Sequence, residues 1–383
     1  MKPHDMQPHA SPGGMVLIRH LSAGSAGSAS TMQPPSGSFG GGANTMQYDY
    51  SGTNSVSLTV GEDSTTVIDG TDITASSSGS NGVFATDSGT ALVNDTSIET
   101  MADNSRGLDA TYGGTISANK ITADTQGGHS AIVATDRGGG SISLADATLS
   151  TAGSGSPLLY STGDIQVNNV SGTSSGSQIA GMEGLNTILI KDSTLESTVT
   201  GKTASDPIAN GTIIYQSTSG DAEASTGEHA TFQSVDSTLS SAIGSGSMFY
   251  FTNTTADVVL QNTELDFDTD AATLTDNAAA GSGTGTASDA PITVNVDGTS
   301  TWVVTKDTTI SALNVASGGD GNTVTIVANG KTVVSGSGDV TVTVTGSYST
   351  SVSAGSDTEL SSDTIDRSEF DSRFGTSTAW TMA

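Results

Sequence analysis

The chain has 383 residues, of which 33% are apolar and 48 are Gly. Lys and Arg number 11 against 40 Asp and Glu, and the formal net charge of -29 makes nucleic acid and anionic membranes poor partners. Cys is absent, which removes disulfides, thiol catalysis and Cys-based metal sites, and no apolar run reaches the length of a membrane-spanning helix.

Residues 1–45, with Pro34-Pro35 and Gly40-Gly41-Gly42, read as a flexible leader. The only apolar cluster there, Met15-Val16-Leu17-Ile18, is too short for the core of a signal peptide, so an extracellular or cell-surface setting rests on composition alone. His4, His9 and His20 fall in this leader and carry no specific metal signal.

From Val56 the chain repeats itself. Gly82-Val83-Phe84-Ala85-Thr86-Asp87, Gly107-Leu108-Asp109-Ala110-Thr111-Tyr112 and Ser130-Ala131-Ile132-Val133-Ala134-Thr135-Asp136 are versions of one unit. Leu108 follows Val83 by 25 positions and Ile132 follows Leu108 by 24. Such a period marks stacked coils, each too small to bury its own apolar face. Each coil reads as three short strands. The first is the Val83, Leu108, Ile132 and Leu158 series. The second is Thr90–Val93, Thr115–Ala118, Ser141–Leu144 and Asp164–Val167. The third begins at Ile73, Ile98, Ile121, Leu149, Val170 and Leu195, after a polar turn of Asn or Asp with Ser or Thr. Alternation along the first strand points Val83, Leu108 and Ile132 inward with Ala85, Ala110 and Ala134. It points Phe84, Asp109 and Val133 outward with Thr86, Thr111 and Thr135. The expected fold is an all-β, right-handed parallel β-helix, the hand following from the crossover rule.

After Glu183 the repeat is interrupted by insertions near 198–210 and 217–231, and it resumes at Phe232. Met248-Phe249-Tyr250-Phe251 opens a coil ending at Leu265-Asp266-Phe267. The expected organisation is a leader over 1–45, a β-helix over 46–277 and a Gly/Ala/Ser/Thr-rich loop over 278–290. Terminal β coils and a cap then fill 291–383. Ile365-Asp366-Arg367-Ser368-Glu369-Phe370 is the one plausible helical turn, placed to cover the terminal edge against end-to-end pairing.

The runs Gly107–Gly114, Ala134–Gly140 and Gly155–Asp164, with Thr299–Trp302 and Asp366–Phe370, resemble bacterial surface or secreted adhesin-like β-helix proteins. The resemblance extends over about residues 45 to 383 and implies a pectin-lyase-like fold and an extracellular setting. It supplies no catalytic residues.

One region gathers chemistry. Asp87, Tyr112, Asp136 and Arg137 fall at equivalent or adjacent coil positions, Asp109 projects nearby, and Arg106 and His129 both precede the first strand. Polysaccharide lyases and hydrolases need clustered carboxylates and a basic group, so Asp109, Asp136 and Arg137 are the catalytic candidates. Asp87, Tyr112, Asp136, Arg106 and His129 are the binding candidates. The plainer reading makes all of them surface ladders and turns. Gly318-Gly319-Asp320-Gly321-Asn322 resembles a Ca²⁺ turn but occurs once, so no cofactor is expected and Ca²⁺ is the one ion considered. The Thr86, Thr111 and Thr135 column raises ice binding as an alternative, and exposed end coils raise fibre assembly. The leading expectation is a non-enzymatic structural or adhesive solenoid that meets glycans, a host surface or its own copies.

Overall fold

The computed structural model describes residues 50–216, 222, 230–276 except 253, 255 and 269, 304, 306–310, 312–316, 324–351 and 364–377, together with the strand backbones 15–18, 21–23 and 292–296. The chain is a parallel β-solenoid of about 8 turns. Two long parallel sheets form its walls. One is built from short strands, Ser57–Val60, Val83–Thr86, Leu108–Ala110, Val133–Thr135, Leu159–Ser161 and Ala180–Glu183, and it continues to Ala272–Asp276. The other is built from long strands, Thr65–Ala75, Thr90–Thr100, Thr115–Thr125, Ser141–Thr151 and Asp164–Ser174, and continues through the later coils.

The second and third strands expected from sequence are the two arms of one long bent strand. The bend sits at a residue with positive φ, at Asp95, Lys120, Asp146 and Asn169 in successive coils. Short polar side chains suit three of these four corners because they tolerate left-handed backbone. They also bond from coil to coil: Asn94 Nδ2 donates to Asp69 Oδ1 at 2.8 Å, and Asn169 Nδ2 to Asp146 Oδ1 at 2.6 Å.

The core is the continuous inner lining, Val83, Leu108, Ile116, Ile142, Ile165, Ile188 and their neighbours. Beyond the insertions aromatic rings take over, with Phe232 edge-on to Phe249 at 5.3 Å and Phe249 stacked on Phe251 at 6.4 Å. The corner between the two sheets is lined by buried serines. Ser80, Ser105 and Ser130 each donate a backbone N–H to the serine hydroxyl one coil on: the Ser80 N–H to Ser105 Oγ at 3.1 Å, the Ser105 N–H to Ser130 Oγ at 3.0 Å, and the Ser130 N–H to Ser156 Oγ at 2.9 Å. These hydroxyls satisfy backbone groups that the turn removes from the ladders. Gly127 and Gly153 lie at the same corner. A Cβ on Gly153 would stand 1.7 Å from Gly127 O, and one on Gly127 would stand 2.0 Å from Ala102 O.

Three expectations need correction. First, the inward register shifts after the second coil: Leu108 pairs with Val133, not Ile132, and Val133 pairs with Leu159, not Leu158. Ile132 and Leu158 remain in the core one place earlier. Second, the outward side of the short-strand sheet is covered. Phe84, Asp109, Thr86 and Thr111 are all buried, and so are Val133 and Thr135, which the shifted register pairs with inward Leu108 and Ala110. The chain entering the first coil folds back over this side: Thr111 Oγ1 donates to Tyr50 O at 3.0 Å, and Gly52 abuts the Phe84 ring. The expected Thr column is therefore internal and broken: Thr111 Oγ1 bonds to Thr86 Oγ1 at 2.8 Å, Thr135 pairs with Ala110 instead, and none of the three faces water as an ice-binding array would. Third, the C-terminal helix Ser368–Phe374 does not cover the terminal edge. It docks on the side of the solenoid, where Phe370 packs on Val67 and Leu92.

The strands Met15–Ile18 and Leu21–Ala23 pair in parallel with Thr65–Ile68 and Ile73–Ala75. Past the main coils, Ile292–Val296, Ala312–Val315 and Tyr348–Ser349 extend the long-strand sheet. A separate sheet of four strands holds Thr308–Ile310, Thr341–Val344, Thr325–Ala328 and Lys331–Val334. The stretches 278–290 and 318–322 lie outside the described residues.

Candidate functional site

Arg106, Asp109 and Asp136 come together. Arg106 Nη2 lies 2.8 Å from Asp136 Oδ2, and its Nε lies 3.8 Å from Asp109 Oδ2. All three are buried. Asn81 Oδ1 accepts from the Arg106 N–H at 2.7 Å, which ties the residue just before the strand Leu108–Ala110 to the preceding coil. The second oxygen of Asp136, Oδ1, accepts from the Arg137 N–H at 3.0 Å. Asp136 therefore serves two neighbours within the fold. Arg137 leaves in another direction and lies over the Tyr50 ring, 5.0 Å from its centroid. Charges buried in this way need partners, because an uncompensated one is strongly destabilising.

The remaining candidates do not join this cluster. Asp87 and Tyr112 are exposed and hold φ of 53° and 46°. Tyr112 lies flat against Gly138, where a Cβ would come within 2.4 Å of its ring. His129, also exposed with φ 54°, belongs to a column of left-handed corners with Gly79, Asn104 and Gly155. Its backbone N–H donates to Ser154 O at 3.0 Å. Arg106 turns inward, so the expected row of Asp87, Tyr112 and Asp136 is split: two members stand at solvent and the third is closed inside.

A second buried group was not singled out from sequence as such. Glu183, 1% exposed, accepts from Tyr160 Oη at 3.0 Å. Tyr215 stands beside both, and burial together with the Glu183 charge raises its hydroxyl well above the usual 10.0. Asp206, raised by burial against the opposing pull of Asn210 and Lys202, accepts from Asn210 Nδ2 at 2.7 Å. Alternation with the core residues Ala180 and Met182 places Glu183 on the outward side of its strand. What stands against it are Tyr160 and Tyr215 from the neighbouring strands, a meeting that spacing alone does not reveal.

Two features do face solvent. One is a cavity of about 420 Å³ between the long-strand sheet and the C-terminal segment, bordered by Thr115, Ser141, Asp164, Asp366 and Glu369. The other is the outer side of the second arm of the long strands. There Ser97, Thr122, Thr148, Ser171, Thr194 and Thr238 align in one column. Glu99, Asp124, Ser150, Thr173, Glu196 and Ser240 align in the next. These side chains are exposed or half-exposed. Their alternation with the buried Ile98, Ala123, Leu149, Gly172 and Leu195 positions was readable in the third-strand series. Among the described residues, no group of three or more His, Cys, Asp or Glu is gathered as metal ligands. Comparison with family models, with curated proteins and with solved structures gives no match.

Proposed function

We propose that this chain is a non-enzymatic solenoid of the cell exterior, adhesin-like in role, which presents its open long-strand face to uncharged or cationic glycans. The observation that carries the reading is the pair of exposed columns running from Ser97 and Glu99 to Thr238 and Ser240. Strand spacing repeats hydroxyls and carboxylates every ~4.8 Å along the axis. Such groups donate to and accept from sugar hydroxyls, and a flat array offers many weak contacts at once. A net charge of -29 disfavours anionic polymers.

The carboxylates best suited to bond cleavage support the same reading from the other side. Asp109 and Asp136 are held against Arg106 in the interior, and Glu183 is held between Tyr160 and Tyr215. They maintain the coil and do not line an open groove.

A panel of neutral and amino-sugar glycans, mucin and plant polymers, probed with the purified full chain, tests the proposal. Binding to at least one class is expected, weakened at least tenfold by Thr148→Arg with Ser171→Arg at unchanged thermal stability. Silence across the panel, or binding indifferent to both substitutions, sinks it.

A further inference from the structure

The C-terminal segment is recognised by side chains, and its docking site is distant in sequence. Arg367 is 4% exposed. Its Nη1 donates to Ser143 O at 2.8 Å and to Ser143 Oγ at 2.6 Å, while Nη2 donates to Ala118 O at 3.4 Å and to Asn119 Oδ1. The guanidinium also lies over the Phe370 ring, 4.6 Å from its centroid. Phe370 is fully buried against Val67 and Leu92, and Phe374 packs behind it at 4.6 Å. Upstream, the Ile365 N–H donates to Gln166 Oε1 at 3.0 Å. Val67, Leu92, Ser117, Ser143 and Gln166 are one column of the long-strand sheet. The segment thus runs along five consecutive strands, from the coil of Gln166 back toward that of Val67.

Two properties set this contact apart from ordinary core packing. It adds no strand to either sheet, so the described ladders are complete without it. It is also not forced by the tether. Tyr348–Ser349 lies six ladder spacings from Asp164–Ser174, about 29 Å at strand spacing, whereas the 16 residues from Ser349 to Ile365 can reach about 50 Å. The fit of the slot, not a short leash, selects the position. The fork geometry of Arg367, with both terminal nitrogens engaged, is one that a lysine cannot reproduce.

We propose that the outer face of the long-strand sheet over these coils is a peptide-recognition slot for an Arg-x-x-Phe turn, filled by the chain's own C-terminal segment as a displaceable strap and able to take the same segment from a second copy. Tethering puts the strap at an effective concentration in the millimolar range. The intact chain is therefore closed to competitors at ordinary concentrations, and exchange between copies is confined to dense arrays or to a strap that has been cut or altered.

The test uses the full chain carrying both Arg367→Ala and Phe370→Ala, with a fluorescent peptide of residues 364–377. Saturable binding of one peptide per chain is expected, with affinity at least about tenfold lower for peptides carrying Arg367→Ala, Arg367→Lys or Phe370→Ala. The unaltered chain takes no peptide below millimolar concentration. Failure of the native peptide to bind a double variant whose circular dichroism is unchanged overturns the proposal, as does equal binding of the altered peptides. Should the double variant not fold, amide exchange in the unaltered chain decides: the Asp371 and Gly375 amides exchanging well ahead of those of Ile142 and Ile165 support a displaceable strap, and exchange in step with them refutes it.

Discussion

Asp136 shows how a residue chosen for chemistry turns out to hold the fold. One oxygen meets Arg106 at 2.8 Å and the other caps the Arg137 N–H at 3.0 Å, with the group buried. Asp136→Ala removes the nearer of the two carboxylates at Arg106 and leaves Asp109 at 3.8 Å, and a loss of about 1–3 kcal/mol is expected in urea titration. Asp87→Ala, at an exposed turn, is expected to stay within about 0.5 kcal/mol. Tyr215 gives a second check. Its folded-state pKa is raised above the unfolded value, so its contribution is fully present below about pH 10 and is lost as pH rises further. Stability of the native chain should therefore fall with pH above about 10 more steeply than that of Tyr215→Phe, measured by thermal melts from pH 8 to 11. Residue types in the Arg106 cluster were legible in the sequence because they recur at coil spacing. Their burial was not, because alternation along a strand records only the direction of a side chain, and the outward side here is covered by chain that lies outside the repeat, at Tyr50 over Thr111 and Gly52 against Phe84.

The long bent strand is the element on which the solenoid depends, and the corner that follows it tolerates little. Gly153→Ala sets a Cβ against the backbone of the preceding coil and is expected to cost about 3 kcal/mol or more, or to prevent folding. Gly201→Ala, with nothing within 4 Å, serves as the neutral control. Expression yield and melting temperature compare the two. The strand series was readable because alternation with period two survives in most coils. The one-residue shift at Val133 and Leu159 was not readable, because Ile132-Val133 and Leu158-Leu159 are apolar doublets and either member fits the pattern. Hydrogen bonding at the preceding corner makes the choice, through the Ser105, Ser130 and Ser156 ladder.

Across the whole molecule, the net charge is -29, and Glu99, Asp124 and Glu196 stand on the open columns. Self-repulsion of this kind is screened by salt, so the melting temperature should rise between 10 and 500 mM NaCl, and a flat or falling trend would contradict it. The parallel solenoid and its approximate coil length follow from the sequence itself, since stacked coils repeat their local pattern and need little from afar. The tertiary structure alone decided which outward positions meet water. Tyr50, the 198–210 insertion and the Arg367–Phe370 strap each meet a part of the coils far from them in the chain, at Thr111, at the Ser154–Gly155 corner and, up to 249 residues away, at Ala118. A periodic pattern records which way a side chain points from its strand. It holds no record of what later arrives on top of it.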